Sequence, residues 1–140
     1  MRSNGATLNA QLSRIISEMG HTDLIVVTDA GLPIPSGVER VDLAYRPGAP
    51  EFLDVLDTIL AELAVEGATL SEDIVERSPD MFGALQRRFD ARGISLELVP
   101  HLQFKATTKQ ARAAVRTGEF TLYANVILRA GAAFGGRNDS

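Results

Sequence analysis

Two histidines are the side chains of this sequence best suited to proton transfer at neutral pH. His21 comes directly after Gly20, where a helical pattern ends, and His101 comes directly after Pro100, at the end of a predicted strand. Either histidine taken alone fits a structural or solvated role. Because both stand at junctions between elements, where a side chain can face a cleft, we interpret them as candidates for acid–base chemistry.

Three further polar residues stand where predicted strands begin or end. Asp29 follows the apolar run of residues 24–27 and precedes a loop with two prolines and a glycine. It is either a turn residue that caps nearby backbone N–H groups, or a carboxylate that accepts hydrogen bonds from sugar hydroxyls or orients a histidine. Tyr123 and Asn125 face the same side if they lie on a strand. They are either edge contacts or a phenol and an amide directed at the hydroxyls of a polyol.

Composition and motifs exclude several other kinds of site. The chain has no cysteine, which excludes disulfides, thiolate zinc sites, iron–sulfur clusters and cysteine nucleophiles. It has no phosphate-binding loop, no GxGxxG that opens a helix, and no serine in a nucleophile elbow. The two histidines lack the spacing of a metal motif, so a metal would need a distant ligand such as Asp29.

The overall composition is that of one globular domain. The chain has 140 residues, of which 45% are hydrophobic and 23% charged, and its formal net charge is -4. The negative balance and an aromatic content of 6% argue against nucleic-acid binding. No apolar run approaches the ~18 residues that span a bilayer. We predict a cytoplasmic protein with no membrane partner, one domain over residues 1–134, and a flexible tail over residues 135–140.

Helical and strand patterns alternate along the chain. Apolar residues at helical spacing predict helices near residues 8–19, 50–63, 79–92 and 103–117. Apolar or alternating runs predict strands near residues 24–27, 41–43, 67–70, 94–98 and 123–128. Gly20, Gly93 and Gly118 mark the ends of helices, and Ser78 followed by Pro79 is typical of a helix start.

This alternation predicts a single-domain, three-layer α/β/α fold with a mostly parallel central sheet and helices on both faces. In such sheets, ligands bind beyond the carboxyl ends of the strands. The loop that begins at Asp29 directly follows the first buried strand, which makes it the first place to look for a site.

A series of blocks in this sequence resembles the D-ribose pyranase family. The blocks are GHTD (residues 20–23), VVTDAGLPIP (26–35), RVDL (40–43), HLQFK (101–105), GE (118–119) and YANVIL (123–128). They keep the order of the family, include both histidines, and belong to a match that runs from about Leu8 to Phe134. The related L-fucose mutarotases share Gly-His and Asp-Ala of the first blocks. They lack the GLPIP continuation, the histidine at position 101 and the alanine at position 124.

The resemblance implies an enzyme that interconverts the pyranose and furanose forms of D-ribose, with no cofactor and no metal. It also implies a cytoplasmic homo-oligomer, typically a decamer of stacked pentamers. By position, His21 matches the proton donor of the family. The positions that match its sugar-binding residues are Asp29, His101, Tyr123, Ala124, which contributes backbone, and Asn125.

The chemistry expected of these residues is the opening of a cyclic hemiacetal. A proton goes to the ring oxygen, another leaves the anomeric hydroxyl, and reclosure through a different hydroxyl changes the ring size. We expect His21 to be the general acid, and Asp29 to hold hydroxyls or tune His21. His101 is the second candidate for proton transfer or a hydroxyl ligand, while Tyr123 and Asn125 orient the sugar. For the general base, a water and the Tyr123 hydroxyl both stay open.

Two alternatives accompany this interpretation. One is a mutarotase of another sugar, such as L-fucose, which a panel of substrates separates from a ribose enzyme. The other is a non-catalytic sugar-binding module, which binds ribose without accelerating its ring exchange. Two histidines at junctions favour the enzyme, because a neutral sugar can be bound by hydrogen bonds alone.

Overall fold

The structure, a computed structural model, describes residues 1, 3 and 7–132 of the chain. The predicted tail of residues 135–140 and the predicted domain end at residue 134 lie outside the described residues, so both stay predictions. The helices are α1 (Ala10–Glu18), α2 (Phe52–Glu62), α3 (Ile74–Arg77), α4 (Pro79–Arg92) and α5 (His101–Thr108). The strands are β1 (Leu24–Thr28), β2 (Glu39–Asp42), β3 (Val65–Ser71), β4 (Ser95–Val99), β5 (Ala113–Arg116) and β6 (Val126–Ala130).

The strands form one sheet in the order β2-β5-β1-β6-β3-β4. The pairs β1–β5, β2–β5 and β3–β4 are parallel, whereas β6 runs antiparallel to both β1 and β3. Five strands therefore share one direction, and the prediction of a mostly parallel sheet is confirmed. Ile25, Val26 and Val27 of β1 are fully buried, as expected for a strand covered on both faces.

Helices cover both faces of the sheet, as predicted, but unequally. On one face, α1, α2 and α4 bury the larger core, which includes Leu56 and Phe89. On the other face, α5 and the segment of residues 32–38 cover a smaller core around Val26 and Phe104. The three-layer α/β/α arrangement is therefore confirmed, with α5 as the helix that packs on the smaller core.

The helix predicted over residues 103–117 is wrong in its second half. α5 ends at Thr108, and the chain then turns into β5, which lies between β1 and β2. Ala113 and Ala114 are at most 2% exposed and face opposite sides of the sheet. Burial between two parallel neighbours overrides the helix propensity of alanine here. Gly118 consequently follows a strand and not a helix.

Ser78 precedes α4 as predicted, with Pro79 as the first helical residue, but its side chain does not cap the helix. The Ser78 hydroxyl instead donates to the carbonyl oxygen of Leu122 at 2.6 Å. This hydrogen bond ties the start of α4 to the segment that leads into β6.

Residues 117–121 of that segment are fastened to two other elements. The N–H of Ala30, just after β1, donates to the Glu119 carbonyl oxygen at 2.8 Å. The N–H of Phe52, the first residue of α2, donates to Glu119 Oε1 at 3.0 Å. The Gly118 N–H donates to the Pro50 carbonyl oxygen at 2.9 Å. These bonds fix the path of the chain into β6.

Replacing Gly118 by alanine is expected to destabilise the fold. A Cβ at Gly118 would lie 2.4 Å from the carbonyl oxygen of Ala49 and 2.6 Å from that of Arg46, and neither backbone atom can rotate away. We expect Gly118→Ala to lower the free energy of unfolding by about 1–3 kcal/mol. Gly37→Ala is the matched control, since its Cβ meets nothing within 4 Å. That variant should stay within about 0.5 kcal/mol of the parent. Urea unfolding measures both, and equal midpoints would contradict the prediction.

Candidate active site

A cleft of about 300 Å³ opens at the carboxyl end of β1. Four of the predicted site residues line it, namely Asp29, His101, Tyr123 and Asn125. Asp29 follows β1, and Tyr123 and Asn125 precede β6. Because β6 is antiparallel to β1, the end of β1 and the start of β6 lie at the same end of the sheet. His101 begins α5, directly after the carboxyl end of β4. The structure therefore brings these four residues together.

Asp29 and Asn125 are joined by two hydrogen bonds. The Asp29 N–H donates to Asn125 Oδ1 at 2.7 Å, and Asn125 Nδ2 donates to Asp29 Oδ2 at 3.3 Å. The N–H groups of Gly31 and Leu32 donate to Asp29 Oδ1 at 3.0 Å and 2.8 Å. Asp29 is thus both a turn residue that bonds its own loop and a carboxylate on the wall of the cleft.

Burial raises the pKa of Asp29 above its ordinary value of 3.8. The hydrogen bonds from the Gly31 and Leu32 N–H groups and from the Asn125 amide lower this pKa, and the nearby charge of Glu119 raises it. Desolvation dominates, because the carboxyl group is partly removed from water. A perturbed carboxyl group in a cleft is typical of a functional site.

The ring of His101 is held by a hydroxyl group and two aromatic rings. Ser71 Oγ lies 3.1 Å from His101 Nδ1, and Ser71 is 1% exposed. The Phe104 ring stacks on the imidazole with centroids 6.3 Å apart, and the Tyr123 ring meets it edge-on at 5.2 Å. With Nδ1 occupied by Ser71, Nε2 is the ring nitrogen left for a ligand.

Residues 123–125 form a tight turn before β6, so the prediction that the strand begins at Tyr123 is wrong. Tyr123 has a φ of 62°, in the left-handed region that bulky side chains seldom adopt, and its carbonyl oxygen accepts the Asn125 N–H at 2.8 Å. Ala124 is fully buried in the larger core and is not among the residues that line the cleft, so its predicted backbone contact with the sugar stays a prediction. Strained conformations of this kind cluster at functional sites. The Arg77 guanidinium lies 6.0 Å from the centroid of the Tyr123 ring.

The Glu119 carboxylate attaches the segment before this turn to the start of α2. Burial raises the pKa of Glu119, but hydrogen bonds from Thr121 and from the Phe52 N–H outweigh burial, and the pKa lies below its usual value. The ionised carboxylate therefore accepts the Phe52 N–H at the start of α2 and the Thr121 hydroxyl, the latter at 2.7 Å. A negative charge at a helix N-terminus is favourable.

His21 does not lie in this cleft. It precedes β1, whereas Asp29 follows it, and the five residues of that strand span roughly 16 Å at ~3.3 Å per residue. His21 Nε2 lies 2.9 Å from Glu66 Oε1, and its side chain is 40% exposed. Within one chain, His21, the predicted proton donor, therefore lies at the opposite end of β1 from the residues that line the cleft.

Three residues that contact the predicted ones were missed by sequence reasoning. They are Ser71, Arg77 and Glu66. Ser71 is the last residue of β3, so the rule that sites form at the carboxyl ends of parallel strands could have found it. Arg77 and Glu66 carry no such signal, because their contacts depend on strand register and on the turn before α4.

The cleft offers hydrogen-bond donors and acceptors of several kinds. Asp29 accepts and the Asn125 amide donates. His101 Nε2 donates or accepts according to the tautomer of the ring, and the Tyr123 hydroxyl can do both. Such a set suits a small neutral ligand that is rich in hydroxyl groups. Across residues 1, 3 and 7–132, no group of three or more histidines and carboxylates could hold a metal ion. Over the same residues, no helix has the length and apolar character needed to cross a membrane.

Comparison with known proteins identifies relatives over nearly the whole chain. D-ribose pyranases of Geobacillus kaustophilus and Laribacter hongkongensis are 45% and 50% identical, covering 99% and 96% of this chain and 99% and 100% of their own. The structure of Bacillus subtilis RbsD complexed with D-ribose matches with a TM-score of 0.91 and 42% identity, covering 96% of this chain and all of that one.

A second solved structure is more distant. The fucose mutarotase of Streptococcus pneumoniae, in complex with L-fucose, matches with a TM-score of 0.77 and 25% identity, covering 89% of this chain and 94% of that one. The family model that matches this chain, over residues 2–133, describes the RbsD / FucU transport protein family. The chain therefore belongs to the RbsD / FucU family.

Proposed function

We propose that this chain is a D-ribose pyranase, an isomerase that interconverts the β-pyranose and β-furanose forms of D-ribose by ring opening and reclosure. The observation that carries this proposal is the cleft, which gathers Asp29, His101, Tyr123 and Asn125 around a volume of about 300 Å³. The fold of the chain matches that of a relative solved with D-ribose, and curated relatives that carry the pyranase name span almost all of it.

Recognition of the sugar rests on groups that are already oriented. The free lone pairs of Asp29 Oδ2 accept from sugar hydroxyls, and the Asn125 amide is locked by its bonds to Asp29. The Tyr123 ring forms an apolar wall beside His101. Because these side chains are held before the ligand arrives, little side-chain entropy is lost on binding.

The reaction requires a proton at the ring oxygen and the loss of a proton from the anomeric hydroxyl. The open-chain aldehyde then recloses through another hydroxyl, and the two proton transfers run in reverse. His101 Nε2 is the ring nitrogen within the cleft that can make such a transfer. No electrons are exchanged and no covalent enzyme intermediate is needed, so positioned acid–base groups suffice.

His21 is proposed as the proton donor, and that role constrains the assembly. A general acid must come within hydrogen-bond distance of the atom that it protonates. Within one chain His21 stands at the far edge of the sheet, so the His21 that serves a cleft belongs to a neighbouring copy. The proton-donor role and the homo-oligomer are thus one proposal. The cytoplasmic location and the decameric ring implied by the family resemblance stay proposals beside it.

The likeness to a fucose mutarotase favours a second candidate, the mutarotation of L-fucose. The blocks around GLPIP, His101 and Ala124 separate this chain from that branch. A third candidate is a module that binds sugar without catalysis, since the matching family is described as one of transport proteins.

Magnetisation-exchange NMR on D-ribose distinguishes these candidates. We expect the protein to accelerate pyranose–furanose exchange and to act much less on L-fucose. Removing a positioned acid–base group typically costs ~10²–10⁴-fold, so His21→Ala and His101→Ala should each lose acceleration on that scale. Glu97→Gln, at an exposed position on β4, should not. Full acceleration by folded His21→Ala would move the acid role elsewhere, and ribose binding without acceleration would leave a binding module.

Mixing two inactive variants tests whether His21 acts on a neighbouring copy. His21→Ala keeps an intact cleft, and Asp29→Asn keeps an intact His21, so a mixed interface can pair the two intact halves. Random reassembly of equal amounts after mild denaturation should restore activity at about one quarter of the sites. Each variant reassembled alone is the control. A mixture as inactive as its components would contradict a site shared between copies.

Asp29 should also leave a signature in the pH dependence of stability. Its folded pKa is raised above 3.8, so the stability that it contributes is present in full below pH 3.8 and is lost as pH rises through the folded pKa. The difference in unfolding free energy between the parent and Asp29→Asn should therefore fall with pH across this window and then become constant. Urea titrations from about pH 3 to 7 measure the difference. A difference independent of pH would show that Asp29 titrates normally.

A further inference from the structure

His21 is held by an ion-pair chain that spans β3 and β6. Glu66 Oε1 lies 2.9 Å from His21 Nε2, and the other carboxylate oxygen, Oε2, accepts from Arg129 Nε at 2.8 Å. Glu66 is on β3 and Arg129 on β6, so the pairing of these two strands sets the position of the histidine ring. No residue pattern connects Glu66 with His21, which is 45 residues away in the chain.

The backbone of β3 is irregular at Glu66. Val65 pairs with Ala130 and Gly67 pairs with Arg129, so Glu66 is the extra residue of a β-bulge. A bulge rotates the side chain of the extra residue relative to the regular alternation of a strand, and bulges are enriched next to active sites. At this bulge the Glu66 carboxylate lies within hydrogen-bond distance of His21.

Arg129 is accommodated by the absence of a side chain at Gly67. A Cβ at this position would lie 2.5 Å from Arg129 Nη2 and 2.8 Å from its Cζ. The guanidinium group therefore packs on the bare backbone of β3 and binds the Glu66 carboxylate oxygen that does not contact His21. The backbone next to His21 is fixed too, since the Thr22 N–H donates to the Ala130 carbonyl oxygen at 2.8 Å.

The ion pair of Glu66 with Arg129 determines which ring nitrogen of His21 is free. The hydrogen bond from Arg129, followed by that from His21, lowers the pKa of Glu66, so this group is an ionised carboxylate at neutral pH. An ionised carboxylate only accepts hydrogen bonds, so His21 Nε2 must carry the hydrogen. Nδ1 is then the ring nitrogen that is left for proton transfer.

We propose that Glu66, held in place by Arg129 and by the bulge in β3, is a positioning residue for ring exchange. It fixes the Nε2–H tautomer of His21 and reserves Nδ1 for proton transfer to the sugar. This inference rests on the proposed role of His21 as proton donor. An exposed ion pair with a purely structural role would contribute little to stability and nothing to catalysis.

A double-mutant cycle on the rate of ring exchange tests the proposal. Glu66→Gln keeps the size of the side chain and removes its charge, and we expect it to lower kcat on the order of tenfold with an unchanged KM. In the His21→Ala background the same change should have no further effect, because Glu66 acts through His21. Glu18→Gln, which removes another exposed carboxylate, one that is paired with Arg14, should leave kcat unchanged.

The ring nitrogens of His21 provide a readout that does not depend on activity. The chain has two histidines, so the His21 signals in ¹⁵N-correlated spectra are assigned by their loss in His21→Ala. Neutral His21 should be in the Nε2–H form in the parent. In Glu66→Gln both tautomers should be populated, because a glutamine amide both donates and accepts.

The outcomes separate this inference from the proposed function. If the parent accelerates exchange, and Glu66→Gln lowers kcat equally with or without His21, or changes neither kcat nor the tautomer, the positioning role is overturned. If the parent does not accelerate exchange, or His21→Ala is fully active, the proposed function fails and the catalytic role of Glu66 fails with it. The tautomer then still decides whether Glu66 fixes the ring of His21.

Discussion

The two hydrogen bonds between Asp29 and Asn125 hold the cleft together. They join the end of β1 to the segment before β6, across 96 residues of sequence. Asn125 is 2% exposed. Without these partners its amide would be buried with no hydrogen bond, and the folded state would lose stability. The hydrogen bond from the Ala30 N–H to the Glu119 carbonyl oxygen is a second connection between these two segments. The geometry of the cleft is thus inseparable from the pairing of β1 with the single antiparallel strand.

Antiparallel β6 also explains why the proposed reaction needs more than one chain. Because β6 runs opposite to β1, its start lies beside Asp29 and its end lies beside Thr22, next to His21. β6 therefore runs from the cleft to the end of the sheet where His21 lies. Within one chain, the length of this strand keeps His21 away from the cleft. For His21 to act on the cleft as proposed, it must therefore come from a second copy of the chain.

The sequence predicted those features that depend on local pattern. The buried run of β1, the breaking loop after Asp29 and the junction positions of His101 and Asn125 are visible in residue types alone. The helix expected over residues 103–117 failed because Ala113 and Ala114 are strand residues only in the presence of their neighbours β1 and β2. The sequence pattern does not single out Glu66 or Arg77, because their contacts depend on a bulge, on strand register and on the turn before α4, which are properties of the assembled fold. The separation of His21 from the cleft is invisible in the sequence for the same reason.

The two histidines differ in the partner that holds each ring, and this difference fits a reversible proton exchange. His101 Nδ1 meets the hydroxyl of Ser71, which can donate or accept, so His101 Nε2 is free to act as a donor or as an acceptor. His21 meets an ionised carboxylate, which only accepts hydrogen bonds and therefore permits one tautomer. Opening and reclosing a hemiacetal requires one group that delivers a proton reliably and another that reverses its role as the ring changes. In the proposed reaction, the Ser71 hydroxyl next to His101 and the Glu66 carboxylate next to His21 provide these two behaviours.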